Sequence, residues 1–158
     1  MRIREIMSSP AVTCRQDDTL NTAAQLMWEH DCGTIPVTDD AGQIVGIVTD
    51  RDICMATFTQ GRAPQAIRVS DAMARQVFSC HAEDPLDAAE RLMSEKQVRR
   101  LPVVDSGNRP LGLLSLNDIA RNAAAQKKDG IDREVVRTTA AICQPRREAG
   151  TKRQTAVV

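Results

Sequence analysis

Aromatic residues are almost missing from this chain of 158 residues, which contains one Trp, two Phe and no Tyr. Since 42% of the residues are nevertheless hydrophobic, we expect a core of aliphatic side chains and methionine. An excess charge of either sign is missing as well, because 21 Lys and Arg balance 21 Asp and Glu. This balance argues against a general nucleic-acid or membrane-surface role.

Long apolar runs are also missing, since no stretch approaches the roughly 20 residues that a membrane-spanning helix needs. The first residues, Met1 to Met7, lack the apolar segment of a secretory signal, so we predict a cytoplasmic protein. The five cysteines form no C-x-x-C motif and their number is odd, which favours free thiols in a reducing compartment.

The sequence lacks motifs for catalysis and for metal binding. His30 and His81 are the two histidines, and neither belongs to a zinc-type cluster. There is no glycine-rich loop of the Walker type, and no histidine neighbours Cys54 or Cys143 to activate a thiol. We therefore predict no catalytic residues, no metal and no enzymatic activity.

What the sequence does contain is an internal repeat. When residues 2–53 are aligned without gaps to residues 68–119, 15 of the 52 pairs are identical. Two copies are too few for a solenoid, so the repeat favours two similar units that close on each other as a pseudo-twofold pair.

Each copy is expected to follow the order strand, helix, strand, strand, helix. In the first copy, hydrophobic patterning predicts strands at 11–14, 35–37 and 44–49, with helices at 19–30 and 50–57. The second copy repeats this order with strands at 77–80, 101–104 and 110–115 and helices at 85–96 and 116–126. Because Pro36 removes a ladder donor, we expect its strand to lie at a sheet edge or to start there.

The predicted domain organisation follows from the repeat and its flanking segments. We assign repeat 1 to residues 1–58, a linker to 59–67, repeat 2 to 68–126, a C-terminal helix to 127–144 and a disordered tail to 145–158.

A hydroxyl residue followed three positions later by aspartate ends the last strand of each copy: Thr49 with Asp52, and Ser115 with Asp118. Such a pair caps a helix, since the hydroxyl accepts from a free backbone N–H and the acid suits the positive helix end. The same geometry can hold a sugar phosphate, with N–H groups on the phosphate and the carboxylate on ribose hydroxyls. Taken singly, either pair is better explained by capping.

The pattern apolar-Pro-Val-x-Asp, followed by Gly-apolar-apolar-Thr/Ser-x-x-Asp, resembles a tandem pair of cystathionine-β-synthase (CBS) domains, also called a Bateman module. Residues 101–105 and 112–118 carry the typical form, and the resemblance covers about residues 1–122. It implies an α/β (α+β) fold in which two β-α-β-β-α repeats pack as a pseudo-twofold disc, here with an extra C-terminal helix. It also implies a regulatory ligand sensor that forms a homodimer and binds AMP, ADP, ATP, S-adenosylmethionine or NAD(H).

The resemblance further implies the residues of two ligand clefts. In the first cleft, apolar and small residues surround adenine, a carboxylate takes the ribose hydroxyls, and a serine with two arginines takes phosphate. These residues are Met7, Val12, Cys32, Gly33, Ile35, Arg99, Arg100, Leu113, Ser115 and Asp118. The corresponding residues of the second cleft are Ile47, Thr49, Arg51, Asp52, Met73, Phe78, Val98 and Leu101.

The two clefts are not expected to be equal. Repeat 1 has Gly33 and Thr34 where repeat 2 has Arg99 and Arg100, so the first cleft has the stronger claim to a phosphate. The second cleft is expected to bind a ligand more weakly, to bind an adenosine-like ligand without phosphate, or to stay empty.

Two functions from different classes remain open. One is a regulatory module that binds an adenine nucleotide, with AMP, ADP or ATP favoured by the arginines, and signals to an unknown protein target by conformational change. The other is a dimeric structural or interaction scaffold with vestigial ligand sites, which the weaker second cleft favours.

Overall fold

The computed structural model describes residues 1–126 and 131–143. Repeat 1 contains β1 (Cys14–Arg15), α1 (Leu20–Glu29), β2 (Thr34–Thr38), β3 (Ile44–Thr49) and α2 (Asp50–Gln60). Repeat 2 contains β4 (Cys80–His81), α3 (Leu86–Lys96), β5 (Arg100–Val104), β6 (Pro110–Ser115) and α4 (Leu116–Gln126), and α5 (Ile131–Ile142) follows. The mixed α+β fold, the element order of both repeats and the extra C-terminal helix are therefore confirmed. The proposed tail at 145–158 lies outside the described residues.

Each repeat forms its own three-stranded sheet, ordered β1-β2-β3 in repeat 1 and β4-β5-β6 in repeat 2. The first strand pairs in parallel with the second, and the second and third form an antiparallel hairpin. Equivalent residues hold equivalent registers, since Ile35 lies opposite Val48 and Leu101 opposite Leu114. The internal repeat of the sequence is thus also a repeat of strand pairing.

The strand that carries Pro36 is central in its sheet, which corrects the expectation of an edge strand or strand start. Pro36 lies opposite Ile47, whose backbone N–H and C=O both bond to Ala74 on the far side of β3. The nitrogen of Pro36 therefore faces the β1 side. There β1 reaches only Val37 and Thr38, so the missing N–H interrupts no ladder bond.

The segments that lead into the two repeats are exchanged between them. The Ile3 N–H donates to the Asp84 carbonyl (3.1 Å), and at the equivalent place the Val69 N–H donates to the Asp18 carbonyl (2.8 Å). Ile3 is fully buried in the core of repeat 2, whereas Val69 is fully buried in the core of repeat 1. Each repeat is thus completed by a segment that precedes the other in sequence, while the assigned domain boundaries stay predictions.

The exchanged segments also extend the sheets by one bridge each. Ser8 and Leu113 exchange two backbone hydrogen bonds of 2.9 Å, and Ala74 and Ile47 exchange two of 2.9 and 3.0 Å. A Cβ at Gly112 would lie 2.5 Å from the Ser8 carbonyl oxygen, so glycine permits this close approach. The first lead-in is therefore held against β6, where it forms one wall of the site described below.

Helix α5 breaks the symmetry of the two repeats because it packs against α3 and α4. Its Ile142 is buried in the core of repeat 2. The helices of repeat 1 instead expose two aromatic side chains, Trp28 on α1 (88% exposed) and Phe58 on α2 (79% exposed).

Candidate functional site

A cavity of about 370 Å³ lies between the two repeats and is called the first cleft below. Its walls come from the first lead-in, from the connection between α1 and β2, from the start of β5, and from the junction of β6 and α4. The lining residues are Ser8, Pro10, Ala11, Val12, His30, Asp31, Cys32, Gly33, Thr34, Pro36, Arg100, Leu113, Ser115, Asn117, Asp118 and Arg121.

Asp118 is the buried acid of this cleft, with 5% of its surface exposed. Its Oδ2 accepts from the backbone N–H of Ser115 (2.8 Å) and from the Ser115 hydroxyl (2.5 Å). In return the Ser115 Oγ accepts from the Asp118 N–H (3.2 Å), which completes a reciprocal cap at the start of α4. The cap holds the carboxylate in one orientation at the cleft wall.

The other oxygen of Asp118 meets groups from both repeats. Its Oδ1 accepts from the Arg121 guanidinium and, at 3.4 Å, from the Ser8 hydroxyl of the exchanged lead-in. The Arg121 side chain is 74% exposed, so apart from its ion pair with Asp118 most of its surface faces solvent. A ligand hydroxyl that binds Oδ1 would share it with Arg121 or release that guanidinium for another anionic group.

Arg100 brings a second guanidinium to the cleft. A Cβ built at Gly33 would lie 3.7 Å from an Arg100 guanidinium nitrogen and 2.8 Å from the Asp50 Oδ2. Gly33 therefore lets Asp50 approach the backbone where α1 ends and β2 begins, with Arg100 at ordinary contact distance. With Arg121 and Asp118, Arg100 gives the cleft two guanidinium groups and one buried carboxylate.

The structure brings most residues assigned to the first cleft to one cavity: Val12, Cys32, Gly33, Arg100, Leu113, Ser115 and Asp118. Three assigned residues lie elsewhere. Ile35 is fully buried in the core of repeat 1, and Met7 packs against the core of repeat 2. Arg99 is exposed, and its carbonyl accepts from the Leu116 N–H (2.9 Å).

Sequence reasoning missed Ser8, Asp31 and Arg121 as lining residues. Arg121 carried a signal that could have been used, because it follows Asp118 by three positions, a spacing at which helical side chains meet. Ser8 carried none, since its place depends on the exchange of the lead-ins.

The second cleft has the same helix cap as the first, formed by Thr49 and Asp52, but lacks the polar residues that surround it in the first cleft. The Asp52 Oδ2 accepts from the backbone N–H (2.9 Å) and hydroxyl (2.7 Å) of Thr49, as Asp118 does from Ser115. By the repeat alignment, Ala74 and Met55 stand where the first cleft has Ser8 and Arg121. Neither of these side chains can donate a strong hydrogen bond to the carboxylate.

The other residues assigned to the second cleft lie mostly in packed positions. Met73 is buried in the core of repeat 1 and Leu101 in that of repeat 2, against which Phe78 and Val98 pack. The backbone of Ile47 bonds to Ala74, as described above, and Arg51 is exposed. The Lys96 ammonium lies 5.3 Å from the centre of the Phe78 ring, a cation–π contact between two large side chains.

Cys14 and Cys80, which are equivalent in the two repeats, are buried on the first strand of their sheets. Burial raises the pKa of each thiol to about 12, with Asp18 adding to the effect at Cys14 and Asp84 at Cys80. Both thiols are therefore protonated at neutral pH and behave as core residues rather than nucleophiles.

In residues 1–126 and 131–143, the His, Cys, Asp and Glu side chains form no group of three or more that could hold a metal ion. None of the helices in these ranges is both long and apolar enough to cross a membrane.

Comparison with known families identifies the repeat. The family model of the CBS domain matches residues 3–58 and again residues 69–125, so the chain belongs to the CBS domain family and carries two copies. A relative from Bacillus subtilis, the CBS domain-containing protein YhcV, is 36% identical over 128 residues, which cover 81% of this chain and 89% of that protein.

Solved structures of CBS domain pairs share the fold. The CBS domain pair of protein MJ0100, in complex with 5′-methylthioadenosine and S-adenosyl-L-methionine, superposes with a TM-score of 0.72 at 28% identity and covers 80% of this chain and 98% of its own. The structure of CBSX2 in complex with AMP has a TM-score of 0.68 at 25% identity, with coverage of 80% and 98%. Both neighbours thus bind adenosine-containing ligands.

Proposed function

We propose that this protein is a regulatory module that binds an adenosine-containing ligand in the first cleft, with AMP, ADP and ATP preferred. The observation that carries the proposal is the meeting of the buried Asp118 carboxylate with the guanidinium groups of Arg100 and Arg121 in one cavity. The volume of about 370 Å³ lies within the roughly 300–1,000 Å³ typical of small-molecule sites.

Each part of a nucleotide finds a matching group. The Asp118 Oδ1 can accept from the two ribose hydroxyls once Arg121 turns away, and Arg121 can then join Arg100 on the phosphate. Val12 and Leu113 offer apolar surface to the adenine ring. Adenosine-containing ligands in the two neighbouring CBS domain pairs support this assignment.

The proposed signal arises because both repeats contribute to the cleft. A ligand that contacts Gly33 of repeat 1 together with Arg100 and Asp118 of repeat 2 favours one relative position of the two repeats. Binding then shifts the population of shapes by its difference in affinity for them. An unidentified protein target would recognise the shifted shape. The proposed activity is therefore regulatory and not enzymatic, and we propose that the protein acts in the cytoplasm.

We also propose that the module is a homodimer formed through the helices of repeat 1. In repeat 2, α5 packs against α3 and α4, whereas repeat 1 exposes Trp28 and Phe58. Large exposed aromatic side chains are typical of interfaces. Light scattering of the purified protein should give twice the chain mass, and Phe58→Ser should reduce it towards one chain; a monomeric wild type would contradict the proposal.

One observation favours the scaffold as a second candidate. Both carboxylate oxygens of Asp118 already have protein partners, so the site is satisfied without a ligand. In that case the first cleft would be a rigid joint between the repeats, and the protein would serve as a dimeric platform.

A thermal-shift screen with AMP, ADP, ATP, S-adenosylmethionine and NADH separates the two candidates. A ligand at 100 times its Kd stabilises the folded state by about 2.7 kcal/mol. Asp118→Asn keeps an acceptor for the cap but loses the charge, so it should abolish the shift, while the matched Asp52→Asn should retain it. No shift with any ligand at millimolar concentration would reject the sensor for these ligands and favour the scaffold.

A further inference from the structure

Asp50 carries a carboxylate beside the first cleft that the proposed function does not use. It is the first residue of α2, it is exposed, and it lies outside the residues that line the cleft. Its Oδ1 accepts from the Arg51 N–H (2.7 Å), while its Oδ2 lies 2.8 Å from the position that a Cβ on Gly33 would take. One carboxylate oxygen is thus bonded within α2, and the other lies beside a residue of the cleft wall.

Arg100 approaches the same point from repeat 2. One of its guanidinium nitrogens lies 3.7 Å from that Cβ position, so the two opposite charges both lie within 4 Å of one point beside Gly33. Opposite charges this close attract each other. Arg100 is half-buried and also lines the first cleft. It is therefore within reach of two anions, the Asp50 carboxylate and a phosphate bound in the cleft.

The fold itself does not require an acid at this position. The Asp50 N–H donates to the Gly33 carbonyl (3.2 Å), and the equivalent bond in repeat 2 runs from the Leu116 N–H to the Arg99 carbonyl (2.9 Å). Leu116 is the counterpart of Asp50 in the repeat alignment, so the same helix start forms with an apolar side chain. The carboxylate is thus an addition of repeat 1 to a backbone arrangement that both repeats share.

We propose that Asp50 is a positioning residue of the first cleft, which competes with the phosphate of the ligand for Arg100 and so lowers the affinity for charged ligands. The inference rests on the proposed function, because it requires a phosphate that binds Arg100. That phosphate must draw the guanidinium away from Asp50, so part of its attraction is offset. An uncharged nucleoside does not engage Arg100, and its affinity is independent of Asp50.

Asp50→Asn tests the proposal because it removes the charge and keeps an oxygen for the Arg51 N–H. The probes are AMP and adenosine, titrated by calorimetry into the wild type, Asp50→Asn, Arg100→Ala and the double variant. We expect Asp50→Asn to bind AMP about threefold more tightly, as for a partly exposed charge pair, and to bind adenosine as the wild type does. In the Arg100→Ala background the gain should disappear, because it depends on Arg100.

Asp87→Asn is the matched control. It removes the same charge from the first turn of α3, and Asp87 is exposed and does not line the first cleft. Both affinities should therefore stay at their wild-type values. An equal gain in AMP affinity for Asp87→Asn and Asp50→Asn would reduce the effect to net charge and overturn the proposal.

The other outcomes separate this inference from the function on which it rests. If Asp50→Asn changes the affinities for AMP and adenosine equally, or if its gain persists in the Arg100→Ala background, the competition for Arg100 is overturned. If the wild type binds AMP and Asp50→Asn binds it no better, the competition is again overturned while the nucleotide sensor stands. If only Asp50→Asn binds AMP, the preference of the wild type for AMP is overturned while the competition stands. If neither binds AMP, both are overturned.

Discussion

The two repeats share their strand order, register and helix caps, yet their clefts differ. Ser115 and Asp118 make the same three hydrogen bonds as Thr49 and Asp52. Only Asp118, however, is also contacted by an arginine on its own helix and a serine from the other lead-in. A cap that stabilises a helix in both repeats thus lies in a polar cavity in one of them.

The comparison shows that the two repeats keep the same strand order, register and helix caps, while the residues around their clefts differ. Ile35 and Leu101 are both fully buried and equivalent, because both sheets need an aliphatic side chain there. Gly33 and Arg99 are equivalent too, but Gly33 is half-buried in the first cleft, Arg99 is exposed outside it, and the two residues differ strongly in size and charge. Asymmetry at such positions is therefore where function is best sought.

The largest expected effect tests whether the two cores are equal. Ile35→Ala and Leu101→Ala each remove a fully buried side chain, so each should lower the free energy of unfolding by about 2–5 kcal/mol. Urea denaturation followed by circular dichroism measures both. A loss in one repeat that exceeds the other more than twofold would break the equivalence of the cores.

A smaller loss is expected where α5 makes the repeats different. Ile142 is 7% exposed in the core of repeat 2, so Ile142→Ala should cost about 2 kcal/mol, near the lower end of such substitutions. Phe58→Ala on the uncovered helix of repeat 1 is the comparison. Measured at concentrations where the protein is monomeric, it should change stability by less than about 0.5 kcal/mol. A loss for Ile142→Ala as small as that expected for Phe58→Ala would mean that α5 adds little to the core.

Replacing one residue of the first cleft by its equivalent in the second should weaken ligand binding. Arg121→Met gives the first cleft the residue that the second cleft has, and should weaken binding of AMP by about 1.5 kcal/mol, roughly tenfold. Stability should change by less than about 1 kcal/mol, because the Arg121 end of the ion pair is exposed. Isothermal titration calorimetry checks the affinity; unchanged binding would remove Arg121 from the site.

The smallest effect concerns the buried thiols of Cys14 and Cys80, whose contribution to stability should depend on pH only in alkaline solution. The folded chain raises the pKa of Cys14 and Cys80 from 9.0 to about 12, so it retains their protons while the unfolded chain loses them. The contribution of these thiols to the free energy of unfolding should therefore be complete below pH 9.0 and be lost as the pH rises from 9.0 towards 12. Thermal melts of the wild type, Cys14→Ala and Cys80→Ala across this range measure the effect.

Each cysteine variant should lose a similar part of the alkaline slope, since the two thiols are equivalent. Cys54→Ala serves as the control, because that thiol is exposed. A slope that is the same in all four proteins would show that burial of these thiols does not control it.

Much of the architecture could be predicted from the sequence because it depends on local chemistry and on repetition. The hydroxyl-x-x-Asp pairs predicted two capped helices, and the structure contains both caps. The strand with Pro36 was misplaced, because the rule for proline considers one strand and not the length of its neighbour. Here the two-residue β1 begins only opposite Val37, one residue past the proline, so a central position becomes harmless.

The candidate site was predicted less completely, for a reason of distance along the chain. The cavity joins Ser8 to Asp118, and the hydrogen bond between them spans 110 residues. Gly33 and Arg100, which belong to different repeats, likewise meet only in the folded chain. Local patterns carry no information on such meetings, so Ser8 could not be predicted, whereas Arg121 was overlooked although its spacing from Asp118 is local.

By itself the sequence determined the repeat, the order of its elements, the two helix caps and the aliphatic core, since each follows from the spacing of apolar and capping residues. The tertiary structure alone decided that the lead-ins are exchanged, that α5 packs on the helices of repeat 2, and that Arg100 lines the same cavity as Asp118. The physical reason is that caps and periodicity are satisfied within a few residues, whereas exchange and cavity formation depend on which buried surfaces meet across the whole chain.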